Sequence, residues 1–270
     1  MHPEVLREHI VKCRAATDKP FGVNVPLLYP EIETIMKIIV EERVPIVFTS
    51  AGNPKTWTRK LQDEGIKVAH VVSSSKFAAK CEEAGVDAVV AEGFEAGGHN
   101  GAEETSTMVL LPHVRRQISI PLIAAGGIST GEAMLAAMAL GAEGVQVGTR
   151  FALTAESSAS DEFKRLCTEL KEGDTMLALK KVGATRLIKN HFYDRVKEAE
   201  DRGASADELR ELLGRGRAKK GIFEGDLREG ELEIGQIASL ITDIPSAEEV
   251  VAKIVKEYND KVRESFEVFA

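Results

Sequence analysis

From about residue 20 to residue 150 this 270-residue chain alternates short apolar runs with helix-like stretches. That alternation leaves few folds open to it. The runs are Phe21–Val25, Pro45–Ser50, Ile66–Val72, Val86–Ala91, Ile120–Ala125 and Gly144–Val147, each bounded by Gly, Pro, Ser or Asn. Near-continuous apolar runs suit strands covered on both faces, as in a parallel sheet. Between them, Pro30–Arg43 opens with proline at a first helical position and carries Ile32, Ile35, Met36, Ile39 and Val40 on one face. Lys55–Glu64, Lys76–Ala84 and Thr130–Leu140 follow as helices. They run into Gly65, Gly85 and Gly141, which are expected to stop them in the left-handed conformation. Strictly repeating β-α units predict a parallel α/β fold.

Six runs fall short of the eight strands of a closed (β/α)8 barrel. Pro3–Ala16 reads as a helix with no strand before it. Two architectures stay open on this count: an open six-stranded sheet, or a chain that begins inside a barrel. After Arg150 the character changes. Ser160–Lys171 and Asp194–Leu213 read as charged helices, Arg215–Lys220 as a solvated basic turn, and Ser246–Val262 as a last helix. The expected division is residues 1–155 as barrel β/α units, 156–235 as a mainly helical cap or insertion, and 236–270 as a C-terminal helix packing back.

A formal charge of −8 argues against nucleic acid as a partner, because phosphate backbones need a basic surface. No apolar run approaches a membrane span, and the polar N-terminus is no signal peptide. Cys13, Cys81 and Cys167 are far apart and odd in number, which fits free thiols in a reducing cytoplasm. Cys81 and Cys167 read as small buried hydrophobes. His2, His9, His70, His113 and His191 show no metal-like spacing and read as non-catalytic.

Three strand ends carry polar, glycine-rich loops: Ala91-Glu-Gly-Phe-Glu-Ala-Gly-Gly-His-Asn-Gly101, Ala124-Ala-Gly-Gly-Ile128 and Val147-Gly-Thr-Arg150. Parallel α/β folds keep their active sites at the C-terminal ends of strands. Gly126 and Gly127 let backbone approach an anion ahead of a helix N-terminus, and Gly148-Thr149 adds a hydroxyl. Together they suit a phosphate, or plain turn chemistry. His99, after Gly97 and Gly98, suits proton transfer or a hydrogen bond to a substrate oxygen, and equally a surface loop histidine. Glu92 either meets a ligand or holds its own loop, and Glu95 reads as solvated. Asn24, an amide inside an apolar run, pairs with a flat heterocycle or with neighbouring backbone. Ser74 leaves room for a ligand and equally suits a helix N-cap.

Phe-Gly-Val-Asn at 21–24, Thr-Ser-Ala-Gly-Asn-Pro at 49–54, Ala-Glu-Gly-Phe-Glu-Ala-Gly-Gly-His at 91–99, Ala-Ala-Gly-Gly-Ile at 124–128, Gln-Val-Gly-Thr-Arg-Phe at 146–151 and Gly-Gln-Ile-Ala at 235–238 occur in order. In these motifs the chain resembles the nitronate monooxygenase (2-nitropropane dioxygenase) family, which includes the similar FMN-dependent enoyl-acyl carrier protein reductase II. The resemblance implies an FMN-binding (β/α)8 TIM barrel with an added α-helical portion. It implies that Gly126, Gly127, Gly148 and Thr149 hold the FMN phosphate. Asn24, Ser74, Glu92, Gly97, Gly98 and Gln236 would be further cofactor contacts, and His99 the catalytic residue facing the substrate. Family members begin with two strands and a Gln-Gly-Gly-Met-like loop that this sequence lacks, so Met1 reads as an internal methionine of a longer gene product or an unusual start. Weak FMN binding is then expected unless a neighbouring chain closes the gap.

The implied reaction is the oxidation of alkyl nitronates with O2 to a carbonyl compound and nitrite. The alternative is enoyl-thioester reduction with NAD(P)H, with acyl carrier protein as a partner. A homodimer also belongs to the expectation. Two further readings are a truncated fragment that binds flavin without turnover, and a phosphosugar barrel enzyme without flavin.

Overall fold

The computed structural model describes residues 2–268. In chain order the elements are α1 (Pro3–Ala16), β1 (Gly22–Pro26), α2 (Ile32–Glu41), β2 (Ile46–Ser50), α3 (Thr58–Asp63), β3 (Lys67–Val72), α4 (Ser75–Glu83) and β4 (Ala88–Glu92). There follow β5 (Gly98–His99), α5 (Thr107–Arg115), β6 (Leu122–Ala125), α6 (Gly131–Ala139), β7 (Gly144–Gln146), α7 (Thr149–Ala152) and α8 (Asp161–Thr168). The rest are β8 (Thr175–Ala178), β9 (Thr185–Ile188), α9 (His191–Asp201), α10 (Ala206–Leu213) and α11 (Ala247–Val268). All six predicted strands form, in the hydrogen-bonded order β1-β2-β3-β4-β6-β7. The chain divides into two compact units, residues 1–91 with 113–123, and residues 92–112 with 124–270.

In the first unit β1, β2 and β3 pair in parallel, with Val23 beside Val47 and Val47 beside Val68. Their side chains meet α2, whose Ile35, Met36, Ile38 and Ile39 are all buried. The expected apolar stripe is therefore real, and Ile38 widens it. Fully burying one such side chain is worth roughly 1.5–3 kcal/mol. Gly65 and Gly85 take φ of +80° just beyond α3 and α4, the left-handed stop that the sequence predicts. Asn24 lies in β1 opposite Phe48. Ser74 caps α4, its hydroxyl accepting from the Phe77 N–H.

The second unit holds the ends of β4 and β6, then β7 and everything after it. α6 and α11 pack so closely that a Cβ on Gly131 would lie 2.0 Å from the Tyr258 nitrogen. Glu257 of α11 accepts from the Gly131 N–H at 3.0 Å, so one helix closes the N-terminus of the other. Between residues 156 and 235 the chain adds two strands to the expected helices. β8 and β9 pair antiparallel, and β5 joins the free side of β9. Behind them Leu187, Phe192, Val196 and Leu209 form one apolar cluster, and Leu153, Phe163, Ile188 and Leu232 belong to another.

Three further differences from the sequence reading have local causes. The stretch 194–213 is two helices, because Gly203 turns at φ +84° and Ser205 opens α10 with a reciprocal capping box to Glu208. α5 forms despite Pro112 within it. In the basic run Arg215, Lys219 and Lys220 are exposed as expected, but Arg217 folds inward, donating to the carbonyls of Leu212, Leu213 and Glu229 and lying 4.5 Å over the Phe192 ring. Cys81 and Cys167 are buried free thiols, and burial pushes each up to about 12. No helix among the described residues is long and apolar enough to cross a membrane.

Candidate active site

The second unit gathers most of the predicted residues. β4 ends at Glu92, and the chain then turns through Gly93–Gly97 into β5. The Gly93 N–H donates to the Ala125 carbonyl at 2.9 Å, which ties this loop to the end of β6. There Gly126 and Gly127 adopt φ of +95° and +70°, a region that penalises any Cβ. A Cβ on Gly126 would also meet the Gly93 oxygen at 2.8 Å. Gly126 is thus required by close backbone approach as well as by conformation, and Gly127 by its conformation beside the Glu95 side chain.

Glu92, Gly97, Gly126, Gly127, Gly148 and Thr149 line one cavity of about 330 Å³. These six side chains and backbone segments, separated by up to 57 positions in sequence, therefore face a common space. The Thr149 hydroxyl accepts from the Gly235 N–H at 3.0 Å, which leaves its own O–H able to donate into the cavity. Gly148 has open space where a Cβ would stand. This is a donor set suited to an anion: flexible backbone at two strand ends, plus a hydroxyl. Burial pushes the Glu92 carboxyl up to about 7, so it is partly protonated near neutral pH.

Glu95 is not solvated. Its carboxylate accepts from the Thr107 N–H, 3.1 Å and 3.0 Å to its two oxygens, and lies 2.9 Å from the Thr107 hydroxyl. The acid therefore satisfies the start of α5, where helix N–H groups lack partners and negative charge is favoured. The sequence reading missed this because Glu95 and Thr107 are joined only through the folded loop.

His99 lies exposed on β5, with its ring against Gly183. It pairs with Thr185, and Gly98 pairs with Arg186. Asn100 fixes the turn further, donating its side-chain amide to the carbonyls of Ala96 and Gly98. Arg186 is 1% exposed and grips the loop from beneath: its Nε and an Nη donate to the Phe94 carbonyl at 3.2 and 2.8 Å, and the guanidinium stacks on the Phe94 ring. A buried arginine in a strand has no sequence signal that separates it from a surface one. Glu233 also lines the cavity and was not singled out from the sequence. Only its alternation with Leu232 and Ile234 hints at a strand-like segment.

Gln236 is exposed at the start of a 3₁₀ turn, Gln236–Leu240, and its N–H donates to the Glu95 carbonyl at 2.9 Å. It borders a second, apolar cavity of about 280 Å³ that shares Gly126 and Gly127. Asn24 and Ser74 belong to the first unit. No cluster of three or more His, Cys, Asp or Glu with metal-binding geometry occurs among the described residues.

A family model for nitronate monooxygenases matches residues 29–257. A probable nitronate monooxygenase of Staphylococcus saprophyticus is 35% identical over 257 residues, 90% of this chain and 72% of the relative. A (3aS,4S,5R,7aS)-5-hydroxy-7a-methyl-1-oxo-octahydro-1H-indene-4-carboxyl-CoA dehydrogenase of Rhodococcus jostii is 29% identical, over 93% of this chain and 81% of that one. Among solved structures, FabK from Thermotoga maritima superposes with a TM-score of 0.93 at 39% identity, covering 100% of this chain and 85% of FabK. A nitroalkane oxidase from Streptomyces ansochromogenes gives 0.81 at 25% identity, covering 98% and 87%. With its glycine-lined cavity, its His99 loop and these matches, the chain belongs to the nitronate monooxygenase family and is an oxidoreductase.

Proposed function

We propose that this protein is an FMN-dependent nitronate monooxygenase. The observation that carries the reading is the single cavity onto which Gly126, Gly127, Gly148 and Thr149 converge, with the His99 loop fixed at its side. The residues present fit the cofactor's phosphate, since Gly126, Gly127 and Gly148 bring backbone without side chains to the cavity and Thr149 retains a hydroxyl proton. We further propose that the six parallel strands are part of a (β/α)8 barrel of the family type. Bound FMN, held by these residues, would supply the redox chemistry for converting an alkyl nitronate and O2 to a carbonyl compound and nitrite.

The chain's own residues have simpler tasks. Gly126, Gly127, Gly148 and Thr149 anchor the phosphate. Glu92 offers a neutral or ionised carboxyl at the strand end. His99 orients an anionic nitronate by hydrogen bonding, or removes the α-proton where a neutral nitroalkane is the substrate. Arg186 and Asn100 keep the His99 loop in one place, which limits the freedom lost on binding.

A second reading is FMN- and NAD(P)H-dependent reduction of an enoyl thioester, with acyl carrier protein delivering the substrate. The Rhodococcus jostii relative, whose name gives a carboxyl-CoA as substrate, favours a thioester site. The test is direct. The purified chain is mixed with FMN and its visible spectrum recorded, and nitrite is then assayed with propyl nitronate in the absence of NAD(P)H. A bound-flavin spectrum and nitrite release support the first reading, and with a neutral nitroalkane as substrate His99→Asn should lower turnover by roughly 10²–10⁴, as loss of a proton-transferring group does. Strict dependence on NAD(P)H with an enoyl thioester would replace it with the second.

A further inference from the structure

Glu233 has no part in the chemistry described so far, yet the fold places it beside His99. One edge of β9 is occupied end to end by two segments. Asn100 donates its N–H to Ala184, His99 pairs with Thr185, and Gly98 pairs with Arg186. Glu233 then bridges to Leu187, and the Leu232 carbonyl accepts from the Ile188 N–H. Glu233 thus follows Gly98 directly along that edge. Its Oε2 stands 2.5 Å from where a Cβ on Gly98 would be, so the glycine makes room for the carboxyl. The same side chain lines the cavity that holds the anion-binding loops.

The charged groups around it are few. Burial favours the neutral acid at Glu233, and the His99 imidazole opposes that by favouring the carboxylate. Glu231, two residues earlier, is buried too: burial raises it, the neighbouring Glu233 charge raises it further, and Arg217 opposes both. Glu92 and Glu95 line the same cavity, but Glu95 is bound to Thr107. Arg186 directs its guanidinium at the Phe94 carbonyl. Among these groups His99 is the one that opposes the effect of burial on Glu233.

We propose that Glu233 is a positioning residue for His99, holding the imidazole and balancing the positive charge it gains when it takes a proton from substrate. The proposal rests on the role given to His99 above. In that step the α-C–H bond of a neutral nitroalkane breaks and its proton forms a new N–H bond on His99. The electron pair stays on the substrate as the C=N bond of the nitronate. Glu233 takes no proton from the substrate. A substrate supplied as the nitronate has no such proton to lose.

The experiment has two arms. In the first, Glu233→Gln and the parent enzyme loaded with FMN are assayed with a neutral nitroalkane and with its pre-formed nitronate. The ratio of the two rates should fall at least about tenfold in the variant, the lower reach of proton-transfer effects. An unchanged ratio overturns the proposal. In the second arm, carbon-13 NMR of glutamate-labelled protein follows the Glu233 carboxyl, identified by its loss in the variant. In His99→Asn that titration should move to higher pH, because the opposing positive charge is gone; an unmoved titration overturns the pairing. Should Glu233→Gln fail to fold, Glu233→Asp removes the same glutamate signal and supplies the assignment. If the parent enzyme releases no nitrite from either substrate, the assigned reaction fails while the titration still decides whether Glu233 and His99 act together.

Discussion

Gly97 in the His99 loop meets backbone directly. A Cβ there would stand 2.4 Å from the Ile234 carbonyl carbon and 2.5 Å from the Gly235 nitrogen. Both are backbone atoms, and Gly235 is itself tied to Thr149, so neither side can yield cheaply. Gly97→Ala should therefore destabilise the protein by about 1–3 kcal/mol or more, the usual cost of overpacking. Thermal denaturation measures it, and a variant melting with the parent would show that the loop and the 233–235 segment are not pressed together. The Gly97-Gly98 pair was visible in the sequence as a flexible hinge for His99. Its actual reason is different: two glycines are needed because the 233–235 segment lies across them. Glu95 shows the same limit. Its partner Thr107 is twelve residues away, and no pattern of spacing names that partner.

At the scale of elements, the parallel strands and most helices were legible because each carries its own signal. A run of Val, Ile and Ala between turn residues is a buried strand almost wherever it falls. The small antiparallel sheet was not legible. β5 is two residues long, and β9 reads Thr-Arg-Leu-Ile with every residue buried, so no alternation betrays it. α5 was hidden by Pro112. The contact of α6 with α11 offers a test at this scale. Gly131→Ala would drive a methyl into the backbone of α11 at Tyr258, whereas Gly144→Ala in β7 meets nothing within 4 Å. Gly131→Ala should lower stability by about 3 kcal/mol or more through steric displacement of packed backbone, near the upper range for overpacking. Gly144→Ala should be near neutral, within about 0.5 kcal/mol. Equal melting temperatures for the two variants would contradict this helix packing.

For the whole molecule, buried ionisable groups set opposing dependences on pH. In the first unit His70 is buried beside the Thr49 hydroxyl at 2.6 Å, and burial lowers it to about 4. Its folded value lies below its unfolded one, so the stability it contributes is present above about pH 6.5 and is lost as pH falls toward 4. Glu92 and Glu231, in the second unit, are pushed up to about 7 from 4.5. Their contribution is complete below about pH 4.5 and is lost as pH rises through 7. Glu92→Gln should therefore raise the melting temperature at pH 8, by on the order of 2–4 °C for each kcal/mol recovered, and change little at pH 4. His70→Gln should flatten the acid side of the same profile. Calorimetric melting temperatures across pH 4–8 check both, and a Glu92→Gln curve parallel to the parent's would contradict the burial of that carboxyl. None of these groups announces its burial in the sequence. What the sequence determined by itself was the β-α succession, the helix stops at glycine and the glycine-rich loops at strand ends, because each depends on residues within a few positions of one another. Only the tertiary structure decided that Arg186 lies under the His99 loop, that Glu95 closes α5 and that Glu233 abuts Gly98. Those contacts join residues 12 to 135 positions apart, and their energy comes from excluding water around groups that become neighbours only when the chain has folded.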